Sequence, residues 1–213
     1  MNFAEIKIVK SVISKEIGLL WIPFLIKCFI KKKSVFKNTH WINEESSESK
    51  FTKRLSFAST LYLELQKKFG KKKAFDVMRK ILVPIGCNEQ WQHLHTLKNN
   101  ENTMDNLMAF NDLMDKKGTP RFNRREYLEQ NDIICHFVIT RCLFNDFFKE
   151  TKTSELTRLF CEIDKEFFPE AFPGFDFHRG NSWENTIAYG KNRCEFIFER
   201  KTQNKTTYLP LRI

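Results

Sequence analysis

Several things are scarce in this sequence of 213 residues. Its six cysteines, Cys28, Cys87, Cys135, Cys142, Cys161 and Cys194, never stand as CxxC, and no convincing secretory signal precedes them. A disulfide framework is therefore unlike this chain, and free thiols in a reducing, cytoplasmic interior are expected. Gly and Pro are few, at 7 and 6, and neither internal repeats nor low-complexity linkers occur. The longest apolar stretch, Ile17–Ile30, is interrupted by Pro23 and Lys27 and is too short to span a bilayer. Acidic residues are short only in one half: residues 1–100 hold 19 Lys and Arg against 8 Asp and Glu, and the remainder holds 17 against 18. The excess sits mostly in lysine runs (Lys31–Lys33, Lys67–Lys73) rather than in Arg and aromatics spread through the region, which reads as solvated helix ends and argues against a nucleic-acid partner.

What is abundant is Phe, with 22 residues, in a composition typical of a folded globular protein. Residues 1–50 read as a helical extension closed by a polar loop, Asn43–Lys50. Its apolar segment is expected to pack on the domain. A second reading is an interfacial helix over residues 17–33, held to anionic lipid by its lysines. Residues 51–213 read as one α+β domain, helical over 51–120 and mixed over 121–213. Apolar spacing predicts helices over 51–70 with Gly70 as terminator, over 72–82 ending before Pro84, and from about Glu89 to Met114. The period then changes. A strand is expected at Asp132–Thr140, helices at 141–150 and 154–168, and strands at 174–180, 185–190 and 193–201, the last two as a hairpin. The resulting fold is a four-stranded antiparallel sheet in strand–helix–helix–strand–strand–strand order, with helices on one face.

Three thiols and one carboxylate stand out. Alternation along the last strand turns Cys194, Phe196 and Phe198 inward, where a cysteine is most simply a small filler. Cys142 follows a strand directly, with Thr140 as N-cap. The backbone amides and dipole of the first helical turn favour thiolate, so Cys142 is the reactive candidate, against the reading of an inconsequential surface cysteine. Cys161 and Asp164 lie at i and i+3 on one helix side, beside an apolar stripe. Asp164 is either a carboxyl raised toward general-acid use or a surface aspartate beside Lys165. His93 and His95 diverge at i,i+2, and no metal-ligand spacing appears.

These residues resemble the L-2-amino-thiazoline-4-carboxylic acid hydrolase family. Thr140 and Cys142 match its T-x-C, and Cys161 and Asp164 its C-x-x-D helix. Thr186, Gly190, Cys194, Glu195 and Phe196 match its terminal T-[LI]-x-x-G-x-x-x-C-[DE]-F segment. Gly180–Asn185 makes the spacing from Arg179 to Thr186 longer than is usual there. The resemblance implies ring opening of a small cyclic amidine to a carbamoyl amino acid, without metal or cofactor. It implies that Cys142, or a water it deprotonates, attacks, that Asp164 shuttles protons and that Arg179 holds the substrate carboxylate. Cys161, Thr186 and Cys194 would line the pocket. The terminal motif is also similar to 4-vinyl reductase-like domains, which implies as alternative a non-catalytic module for an apolar ligand.

Overall fold

In a computed structural model, residues 3–97 and 102–201 are described. Four helices come first: α1 (Phe3–Ile17), α2 (Trp21–Lys37), α3 (Ser47–Phe69) and α4 (Lys71–Leu94). α3 starts where the Ser46 hydroxyl accepts the Ser49 amide, and it ends at Gly70, whose φ of +79° costs a glycine little. α1 and α2 are amphipathic rather than buried all round. They pack on α4 and α3, sharing one core with them through Val9, Ile13, Cys28 and Phe36.

The predicted stop before Pro84 does not occur: α4 runs through it to Leu94. A proline forfeits one backbone hydrogen bond. Here the loss is outweighed by packing on both sides, since Ile81, Val83 and Gln90 are buried and Gly86 lies directly against Ile163. The expected single helix from Glu89 to Met114 is divided instead between the end of α4 and α5 (Met104–Lys117), which is capped by the Thr103 hydroxyl on the Asn106 amide.

The sheet is antiparallel throughout and places its strands side by side in the order β1 (Arg124–Gln130), β2 (Ile134–Arg141), β4 (Cys194–Arg200), β3 (Phe175–His178), so the α+β architecture with four antiparallel strands is as expected. The strands differ in where they come along the chain. β1 and β2 form a hairpin, then α6 (Leu143–Glu150) and α7 (Thr157–Ala171) intervene before β3 and β4. β1 is an edge strand, charged and almost wholly exposed, and so carries no apolar alternation to betray it. The expected strand at 185–190 is a short helical turn, Ile187–Tyr189, closed by Gly190 at φ +85°. β4 therefore has no hairpin partner there and pairs with β2 and β3.

Cys135, Phe137 and Ile139 stand opposite Phe198, Phe196 and Cys194, and Phe137 stacks on Phe196 with centroids 4.8 Å apart. This face, with α5 and the end of α7, forms a second core. The seam between the two cores falls at α4, α7 and the β2–α6 junction, where Cys87 and Cys142 touch both.

Candidate functional site

A cavity of about 110 Å³ lies at that seam. α4 supplies Glu89 and Gln90 to its wall, α7 supplies Thr157, Cys161 and Asp164, and β1 supplies Arg125. Cys142, Arg179, Cys194 and several phenylalanines complete it. Five of the six residues singled out from sequence thus meet on one wall. The sixth, Thr186, is fully buried behind Cys161, whose thiol donates to its hydroxyl at 3.8 Å.

Arg179 follows β3 and is 1% exposed. Its Nη2 donates to Asp164 Oδ2 at 2.9 Å and its Nη1 to the Glu195 carbonyl at 2.9 Å. The guanidinium lies 4.0 Å from the Phe196 ring centre and 4.9 Å from that of Trp183. Asn185 Nδ2 donates to the Arg179 carbonyl at 2.8 Å. The lengthened segment between Arg179 and Thr186 therefore holds this arginine in place.

Asp164 lies deep but keeps a fifth of its side chain accessible, as befits a group on a cavity wall. Burial raises its pKa above 3.8, although Arg179 and the Gln90 amide, 3.4 Å from Oδ1, pull the other way. Asp164 is thus a carboxyl of raised pKa paired with Arg179, not a surface aspartate paired with Lys165.

Cys142 is itself the N-cap of α6, not a residue of its first turn, and Thr140 remains in β2 with its hydroxyl on Glu126. The amides of Asn145 and Phe144 do favour its thiolate. Burial outweighs them, the charges that Cys194 and Cys161 would carry oppose ionisation further, and the thiol is held strongly protonated. The expected resting thiolate is corrected on that ground, and so is the surface cysteine. Burial likewise pushes Cys161 up to about 12 and raises Cys194, whose Sγ accepts the Ile187 amide at 3.2 Å.

Among the described residues, four buried side-chain polar atoms lack a hydrogen-bond partner: Gln90 Oε1, Thr157 Oγ1, Arg125 Nε and Arg179 Nε. All four belong to residues of this cavity wall. An unpaired buried polar atom costs about 1–3 kcal/mol, so their convergence is a polar surface made for a partner. Arg125 stacks on Phe137 at 4.2 Å, and its charge reaches Asp164. Sequence reading missed Arg125, Gln90 and Thr157: the first lies in a strand without apolar alternation, the second beyond a proline. Among the described residues no group of three His, Cys, Asp or Glu side chains is arranged to hold a metal ion.

No curated protein matches the chain. Among solved structures it is similar to the crystal structure of Fe(II) unliganded H-NOX protein from K. algicida, with 11% identity and a TM-score of 0.37 over 96% of this chain and 98% of that one. At that score the likeness bears on neither fold nor chemistry. A family model described as L-2-amino-thiazoline-4-carboxylic acid hydrolase matches residues 49–198, the span that contains every wall of the cavity, and the chain belongs to that family.

Proposed function

We propose that the chain is a hydrolase that opens a small cyclic amidine of the 2-amino-thiazoline carboxylate type by cleaving a ring carbon–nitrogen bond. The observation that carries this reading is the meeting of four unpartnered polar atoms with three thiols and a raised carboxyl in one small cavity. The lining is largely apolar, but four unpartnered polar atoms in it weigh against a purely apolar ligand.

In this reading the Cys142 proton passes to the ring nitrogen as the basic amidine enters. Thiolate and amidinium then form together, and each offsets the burial penalty the other would bear alone. The thiolate adds to the carbon between nitrogen and sulfur. The ring carbon–nitrogen bond breaks as protonated Asp164 gives its proton to the leaving nitrogen. Water, losing a proton to the Asp164 carboxylate, attacks the covalent intermediate, and the tetrahedral species expels Cys142 as a thiol. One water is consumed, a carbamoyl amino acid is released, and both side chains return to their starting states. Arg179 fixes Asp164 and, with Arg125, supplies positive charge for the substrate carboxylate. Cys161, Cys194 and, behind them, Thr186 shape the wall.

The test is incubation of the purified protein with 2-amino-thiazoline-4-carboxylate, following by mass spectrometry the gain of one water. Cys142→Ser is expected to lower turnover at least about a hundredfold with a nearly unchanged melting temperature. Equal activity in that variant would remove Cys142 from the mechanism, and no hydrolysis of any cyclic amidine by the wild type would sink the reading.

A further inference from the structure

Outside the span of the family match, α2 carries a surface that the cavity does not explain. Ile22, Ile26, Phe29 and Ile30 are 50%, 56%, 60% and 68% exposed, and Leu19 and Leu20 at the preceding turn are 97% and 62% exposed. The four on α2 share one helical side. An exposed apolar strip of this kind marks an interaction surface. It continues into a basic groove of about 710 Å³ that has Phe29 at its lip. Five lysines line that groove, Lys32, Lys33 and Lys37 from α2 with Lys50 and Lys53 from α3, against two carboxylates, Glu44 and Glu45. Among the described residues none of the five forms an ion pair, whereas Lys27 and Lys31 on the same helix are both committed to Glu64.

We propose that this surface docks the protein on an anionic phospholipid bilayer, with Leu19, Ile26 and Phe29 entering the headgroup–acyl boundary and the groove lysines meeting lipid phosphates. Apolar side chains beside unpaired cations are the two halves of what such an interface offers. The Lys32 ammonium stands 3.7 Å from the Phe29 ring centre, so the two halves are joined at one point. Burial, then Lys53 and Lys33, lower its pKa, a strain that a neighbouring anion relieves. A second copy of the chain would set like charges against each other, and the groove holds no arginine, the side chain most used to grip nucleic-acid phosphates and bases. No described helix is long and apolar enough to cross a membrane, so the contact is peripheral.

Vesicle co-sedimentation tests this directly. The full chain is expected to bind phosphatidylcholine vesicles that contain phosphatidylserine, to release them as salt rises, and to ignore phosphatidylcholine alone. Each lysine near the surface is worth about fivefold in partitioning, so Lys32→Glu with Lys33→Glu should weaken binding at least about twentyfold. Leu19→Ser with Ile26→Ser should weaken it as well, and circular dichroism checks that both variants fold. Any one of four results overturns the proposal: no binding to anionic vesicles at low salt, equal binding to neutral ones, a charge-reversed variant that binds like wild type, or a wild-type dimer that Leu19→Ser dissociates. Hydrolysis of a soluble amidine by the charge-reversed variant should be unchanged, which separates this test from that of the catalytic reading.

Discussion

At the scale of the residue, Asp164 offers the sharpest test. Its folded pKa lies above the 3.8 of an ordinary aspartate. The stability it contributes is therefore complete below pH 3.8 and is lost as pH rises through the raised value. Denaturant midpoints of Asp164→Asn against pH should lack that loss, while turnover falls at least about a hundredfold. Cys142 is expected to react with iodoacetamide far more slowly in the native protein than in denaturant, since its thiol is half-buried and held protonated. Equal rates would mean that it is open and ionised. The sequence made Cys142, Cys161, Asp164 and Cys194 legible because strand alternation and helical spacing are local rules. It could not reveal that Cys142 would line a cavity, because the residues that share that cavity with it come from α4, α7 and β4, far away along the chain.

At the scale of the element, two contacts carry predictions. A Cβ at Gly86 would fall 2.1 Å from Ile163 Cδ1, and Ile163 is itself buried. Gly86→Ala should cost about 1–3 kcal/mol by overpacking, visible as a melting temperature lower by several degrees. α2 is tied to α3 by Glu64, which receives Lys27, Lys31 and Lys67 at 2.6 Å, 3.0 Å and 2.8 Å. Burial raises the Glu64 carboxyl, but the three lysines together outweigh it and bring it down to about 2. A lowered acid stabilises above its unfolded value, so this contribution should fade from pH 4.5 down to about 2. Glu64→Gln should destabilise the protein at neutral pH and flatten its acid response in a denaturant titration. Most helices were legible from their apolar period. β1 was not, because an exposed edge strand owes its place to backbone pairing with β2 rather than to side-chain burial. Nor was the unbroken α4, since what holds it through Pro84 is its packing against α7.

At the scale of the whole molecule, the cavity sits where two hydrophobic cores meet, with Cys87 and Cys142 in contact with both. A ligand seated there bridges both cores and should stabilise the fold as a unit. At a hundred times its Kd it would add about 2.7 kcal/mol, which for a chain of this size raises the melting temperature by about 5–10 °C. Thermal scans of Cys142→Ser with 2-amino-thiazoline-4-carboxylate would measure that shift without turnover. The α+β class could be read from the order of periods along the chain. The meeting of the two cores could not, because it depends on contacts between distant elements that no local spacing records.

Trp183 and Asn185 grip Arg179 from a stretch that is partly open to solvent, while the guanidinium they steady is sealed inside. The chamber's cation is thus steered from the protein's outer skin. Substitutions in that short stretch can re-aim the charge offered to an incoming molecule and leave the hydrocarbon interior intact, so selectivity is free to drift at small cost in robustness.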